Sequence, residues 1–233
     1  MKETVIRAEA RLSPVRGVKV SLRWVFGAAL LGFVSAALLA STLGLPRDAF
    51  VGFYAAIVAG FGAGFLRTER MDPRIQLRRR WPAGLLVGAL AGALLARTVL
   101  LQPASPRPAG GALAWALLWD GGVYGIADAL LLSVVPVLAV YGSRPAEELR
   151  NPAARLRWGA AALLASLFIT AAYHFGFTEF RGSALVAPLI GNGIVTLSYL
   201  ASGSPIAPLL SHVVMHAAAV LHGMATTAQL PPH

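Results

Sequence analysis

Long apolar runs alternate with short polar breaks along this chain. Seven runs approach or exceed the roughly 20 mostly apolar residues that a membrane-spanning helix needs; they cover residues 24–45, 49–66, 82–101, 112–142, 158–178, 183–201 and 205–227. Lipid cannot satisfy the backbone groups of an open strand, so the pattern predicts an all-α, polytopic bundle of about seven transmembrane helices. The fourth run is longer than one span. We expect residues 115–122 to form an interfacial turn there, with Asp120 at the outer interface.

Basic residues are distributed unevenly between alternate connections. The N-terminal tail, residues 67–81 and residues 142–157 together carry sixteen Lys and Arg, whereas the intervening connections carry only Arg47, Arg107 and Arg181. The positive-inside rule therefore predicts a cytoplasmic N-terminus. We divide the chain into a basic tail, residues 1–23, and a helix bundle, residues 24–228, and expect it in the plasma membrane as a multi-pass protein.

Composition excludes an ordinary soluble domain. Hydrophobic residues make up 57% of the chain and charged residues 13%, whereas soluble domains average about 25% charged residues. The net charge of +10 is explained mostly by the orientation signal, so we expect membrane lipids as partners and no nucleic acid. Cysteine is absent, which excludes disulfides and thiol chemistry.

Glycines recur on two of the predicted helices. Gly84, Gly88 and Gly92 lie four residues apart in the third run, and Gly60, Gly62 and Gly64 lie in the second. Small residues at such spacing allow close helix packing in lipid. We therefore interpret both groups as packing surfaces.

Four ionisable residues inside the apolar runs are the candidates for chemistry, because burying such groups in a membrane is costly. They are Asp128 in the fourth run, His174 in the fifth, and His212 and His216 in the seventh. The last two lie four residues apart on one helix face, a spacing at which two imidazoles can bind one metal ion. A helical rise of about 1.5 Å per residue places all four about 12–24 Å from the cytoplasmic helix ends. They can thus meet in one site near mid-membrane.

Two of the candidates, His174 and Asp128, also have a purely structural interpretation. A lone histidine such as His174 is often an interhelical hydrogen-bonding group. Asp128 can pair with Arg97, the base that lies within a span. His222 lies off the face of His216 and His233 is terminal, so neither is included in the site.

The residues around His212 resemble the CPBP family of intramembrane metalloproteases, which includes CAAX prenyl endopeptidases and bacteriocin-processing or immunity proteins. The resemblance covers residues 120–220, about half of the chain. It rests on a glycine-rich helix, Tyr199, the Gly203-Ser204 turn, Pro208 and His212, with His174 in the position of an upstream Phe-x-x-x-His motif. It implies a metal-dependent endopeptidase acting in a membrane-embedded cavity on a peptide or membrane protein. Catalytic roles would fall to Asp128, His174, His212 and His216. The three histidines would hold a divalent metal ion, and zinc is the ion that we expect.

This chain departs from the family pattern at three points. Asp128 stands where the family has Glu-Glu-x-x-x-Arg, Thr170 replaces Phe, and His216 replaces Asn. The acidic pair Glu147-Glu148 is the alternative first motif, although Pro152 occupies the position of its Arg. Two other functions stay open: a catalytically inactive relative that binds a peptide or protein partner, and a proton-coupled transporter.

Overall fold

The computed structural model describes residues 14–78, 80–142, 144 and 147–223, and the described residues are helical with no strand. Seven apolar helices dominate it, and they are α1 (Pro14–Val34, continuing as a π-helix over Ser35–Thr42), α2 (Arg47–Thr68), α3 (Trp81–Leu100), α4 (Gly110–Tyr141), α5 (Pro152–Phe175), α6 (Val186–Ser202) and α7 (Ile206–His222). Short helical turns cover Pro73–Arg78, Glu148–Arg150, Thr178–Phe180 and Gly182–Leu185. The all-helical prediction is confirmed.

Six segments among the described residues are long and apolar enough to cross a membrane, the sixth being α6 together with the turn before it, Gly182–Ser202, and α7 is a shorter apolar helix. Large apolar side chains such as Phe26, Leu86 and Leu164 are exposed on the outside of the bundle, as they are in a helix bundle surrounded by lipid. The start of α1 at Pro14 extends that helix into the stretch predicted as a tail. Residues 1–13 of the predicted tail, residues 224–228 of the predicted bundle and His233 lie outside the described residues.

Helix α4 is the core of the bundle. Its most apolar stretch is 78% buried, against 28–39% in the other five long helices, and it packs against α1, α2, α5, α6 and α7. The predicted interfacial turn is wrong, because α4 is helical from Gly110 to Tyr141 and includes π-helical segments at Leu117–Val123 and Leu130–Val134. Such segments absorb extra residues without ending a helix and are frequent at functional sites. Asp120 is buried within the bundle, with 1% of its surface exposed.

The two glycine groups differ in how closely other helices approach them. A Cβ added to Gly84, Gly88 or Gly92 would lie 2.6–2.9 Å from atoms of Ser204, Ala207 or Val214, so α3 lies directly against α7 and the residues just before it. This packing was predicted. A Cβ on Gly60, Gly62 or Gly64 would meet no atom within 4 Å among the described residues. The packing role predicted for α2 is therefore not seen in this chain.

Candidate metal centre and membrane cavity

Three of the four predicted site residues converge on one point between α4 and α7. Asp128, His212 and His216 are buried, and each offers a ligand atom such that these atoms all lie within 4.8 Å of one another. His216 Nε2 is 3.5 Å from Asp128 Oδ2 and 3.5 Å from His212 Nδ1. Ligand atoms bound to zinc at about 2.0–2.1 Å in a tetrahedron lie about 3.3–3.4 Å apart. Two of the three distances are therefore close to those around a tetrahedral metal ion, and the third is within 4.8 Å. We call Asp128, His212 and His216 the Asp-His-His group.

The pairing with Arg97 does not occur. Arg97 is exposed on α3, and among the described residues Asp128 interacts through Oδ1 with the Tyr54 hydroxyl, 2.9 Å away, and through Oδ2 with His216. Tyr54 donates this hydrogen bond and holds the carboxylate in place. Asp128 thus has no Lys or Arg counter-ion, and its charge stays available for a cation.

Asn192 fixes the proton of His212. Thr170 donates its hydroxyl proton to the Ser166 carbonyl, 2.9 Å away, so Thr170 Oγ1 must accept from Asn192 Nδ2 at 2.6 Å. That orientation turns Asn192 Oδ1 toward His212 Nε2, 3.3 Å away. An amide oxygen only accepts, so Nε2 carries the proton and His212 Nδ1 presents its lone pair to His216 and Asp128. Partners of this kind orient the histidine ligands of metal sites.

The amide of Asn192 is in turn held by neighbouring hydroxyl groups. Ser133 donates to Asn192 Oδ1 at 2.9 Å, and Asn192 Nδ2 donates to Ser166 Oγ at 2.9 Å. Thr196 joins both serines, at 2.9 Å and 2.6 Å. This network joins α4, α5 and α6, and it gives the His212 ring a rigid support.

His174 lies beside the Asp-His-His group but is not one of its members. Its Nδ1 donates to the Thr170 carbonyl at 2.9 Å, so Nε2 of the neutral ring is an acceptor. The ring packs edge-on against Tyr173 and Phe180. This placement suits proton transfer better than metal ligation.

All four predicted residues line one cavity of about 300 Å³. The other lining residues are mostly apolar and belong to α3, α4, α6, α7 and the connection after α5; they include Leu95, Leu132, Phe177, Phe180, Ile190, Ile194 and Met215. Because Gln102 follows the end of α3 and Phe177 follows the end of α5, the cavity reaches the end of the bundle where those helices finish. His174 lies nearer that end than predicted, because α5 begins at Pro152, before the predicted run, and His174 is its second-last residue.

The alternative acidic pair is remote from the cavity. Glu148 Oε1 accepts from Arg157 Nη2 at 3.0 Å and from Trp158 Nε1 at 2.8 Å, and Glu147 is exposed. Neither residue lines the cavity. His222 does not line the cavity, and its Nε2 donates to the Gln102 carbonyl at 2.7 Å.

Sequence reasoning missed three contributors to the site. Asn192, Tyr54 and Tyr124 are buried, and Asn192 and Tyr124 line the cavity. Asn192 was detectable as a polar residue inside an apolar run, whereas tyrosines are too common in spans to give a signal.

Comparisons with protein-family models, curated proteins and solved structures found no match to this chain.

Proposed function

We propose that this chain is an intramembrane, metal-dependent endopeptidase of the plasma membrane, similar in its chemistry to the CPBP proteases that its sequence resembles. The observation that carries the proposal is the Asp-His-His group, with two 3.5 Å edges, on the wall of a membrane cavity. Catalytic zinc sites use three protein ligands and keep one position open for water or substrate. The group supplies three.

The residues divide the work as follows. Asp128 Oδ2, His212 Nδ1 and His216 Nε2 would hold the ion, with Tyr54 and Asn192 fixing the first two. A zinc ion bound there would polarise a substrate carbonyl and lower the pKa of its water. His174 Nε2 would accept a proton from that water and return it to the leaving amine, a general acid–base role. The apolar lining would bind the side chains next to the scissile bond.

The position of the cavity indicates from which side of the membrane a substrate would enter it. It reaches the bundle end formed by the connections after α3 and α5. With seven spans and a cytoplasmic N-terminus, that end faces away from the cytoplasm. The substrate would then be a peptide segment in or near the outer leaflet.

Metal analysis is the direct test of the proposal. Purified wild-type protein should contain about one zinc per chain, and a chelator should abolish cleavage of apolar peptides reconstituted with it in vesicles. The matched variant Glu148→Ala should keep its zinc. Folded wild-type protein that takes up no divalent metal would overturn the proposal in favour of a partner-binding protein or a proton-coupled transporter.

Thiol labelling tests which side of the membrane the cavity end of the bundle faces. Because the chain lacks cysteine, Arg107→Cys, Phe180→Cys and Arg150→Cys each create one labelling site. An impermeant thiol reagent added outside cells should label the first two and not the third. Labelling of Arg107→Cys and Arg150→Cys from the same side would contradict the topology.

A further inference from the structure

Two buried polar atoms near the site lack a hydrogen-bond partner. Among the described residues, three buried side-chain atoms are in this state: Asp120 Oδ1, His216 Nδ1 and Arg144 Nε. Asp120 and His216 are 1% and 2% exposed. Burying a polar atom without a partner is unfavourable, so two such atoms on the packed helices α4 and α7 indicate an unrecognised ligand.

Helices α4 and α7 bring these two atoms to the same stretch of their interface. A Cβ on Gly121 would lie 3.3 Å from Ala217 Cα, and one on Gly125 would lie 3.2 Å from His216 Cδ2. Asp120 comes directly before Gly121 in the chain, and His216 comes directly before Ala217, so both are next to this contact. The Asp120 carboxylate interacts electrostatically most strongly with Arg47, and also with His216.

The position of the His216 ring indicates which kind of hydrogen-bond partner its Nδ1 needs. Its Nε2 lies toward Asp128 and His212, so Nδ1 carries the ring proton when Nε2 is a metal ligand. Histidine ligands almost always donate that second N–H to a carboxylate, a carbonyl or water. Asp120 Oδ1 is an acceptor that has no donor. Buried waters typically bridge such pairs of otherwise unsatisfied groups.

We propose that one buried water links His216 Nδ1 to Asp120 Oδ1, making Asp120 a positioning residue for His216. This inference rests on the proposed function, because Nδ1 carries the ring proton once Nε2 binds a metal ion. The site would then have two outer supports, Asn192 for His212 and the water with Asp120 for His216.

Zinc affinity, measured by competition with a chromogenic chelator, is the first test. Loss of an outer support typically weakens a metal site about 10–100-fold, and we expect this for Asp120→Ala. Asp120→Asn keeps an acceptor oxygen and the side-chain volume, so its loss should be smaller. Asp48→Ala removes an exposed carboxylate at the same end of the bundle, bonded to Trp115 at 3.2 Å, and should leave zinc affinity unchanged.

Nitrogen-15 NMR of zinc-loaded protein with labelled histidine rings is the second test. Wild-type His216 should carry its proton on Nδ1, and the Nδ1–H signal should shift in Asp120→Ala, where the link to the carboxylate is lost, and shift less in Asp120→Asn. An unchanged His216 Nδ1 signal in Asp120→Ala, or wild-type zinc affinity in that variant, would overturn the role of Asp120 and leave the proposed function standing. Wild-type protein that binds no zinc would instead overturn the proposed function, and the role of Asp120 with it.

Discussion

Two carboxylates at the surface of the bundle, Glu69 and Glu148, have different partners from the buried carboxylate of Asp128. Glu69 accepts from Arg23 at 2.8 Å and from Trp24 at 2.7 Å, and Glu148 is held in the same way by Arg157 and Trp158. Both clusters lie at the bundle end that carries the basic connections. Asp128 has a tyrosine hydroxyl and a histidine instead.

The difference shows which carboxylate is suited to chemistry. The surface glutamates are neutralised by arginine and anchor a tryptophan at the interface, and an exposed pair of this kind contributes about 0–1 kcal/mol. An uncompensated carboxylate inside a membrane is costly and is usually linked to function. Asp128 lacks a basic neighbour and lies next to two histidine nitrogens, so a metal ion is the partner that this environment fits. The following predictions test that contrast.

The largest effect is expected from His212→Ala, which removes both a ligand atom and the link to Asn192. Zinc content should fall from about one per chain to near zero. Peptide cleavage should fall at least about 10³-fold, since even one lost electrostatic contact to the transition state costs about 10²–10³. Expression and membrane insertion should be unchanged, because they depend on apolar length and flanking charge.

Elemental analysis and a cleavage assay on the same preparation measure both quantities. Asp128→Ala should behave in the same way. A His212→Ala protein that retained one zinc per chain would show that the Asp-His-His group is not the metal site.

His174→Ala separates metal binding from proton transfer. Zinc content should stay at about one per chain, while turnover should fall about 10²-fold, the lower end of the range for general acid–base catalysis. Loss of zinc in this variant would return His174 to the ligand role that the sequence predicted. Unchanged turnover would show that another group transfers the proton.

Asn192→Ala should have a smaller effect, confined to metal affinity. Removing the amide frees the His212 ring and its tautomer, and we expect zinc binding to weaken about 10–100-fold. The loss of interhelical hydrogen bonds should cost little stability, since such bonds average about 0.6 kcal/mol in membranes. Ser198→Ala is a suitable control, because Ser198 on the same helix bonds only the Val195 carbonyl among the described contacts.

The smallest effect is expected from Glu148→Ala and Glu147→Ala. Neither residue reaches the cavity, so zinc content and cleavage should match wild type, with at most about 1 kcal/mol lost from the surface ion pair. If Glu147→Ala abolished cleavage while Asp128→Ala retained it, the acidic pair would be the true first motif.

Three features of the site could be predicted from the sequence because they depend on local spacing or on the cost of burying charge. His212 and His216 share a helix face at any tertiary arrangement, since they are four residues apart. Asp128 and His174 stand out as ionisable residues in apolar runs. The glycines of α3 likewise indicated a close helix contact, found against α7.

What the sequence left open depends on contacts between helices distant along the chain. Spacing cannot show whether Asp128 meets His216 or Arg97, nor whether His174 joins the ligands or lies beside them. It did not place Asp120 in the interior either, because that depends on α4 continuing through its π-helical segments without a break.

Apolar length, basic connections and the spacing of two histidines thus determined that the chain is a helix bundle with a candidate metal-binding face. Only the tertiary structure decided how that face is completed, through Asp128, Asn192 and Tyr54. The physical reason is that in lipid the strength of helix association comes from close packing and polar contacts. Those contacts are set by the shapes of whole helix faces, and a linear pattern of apolar and polar residues does not encode which faces meet.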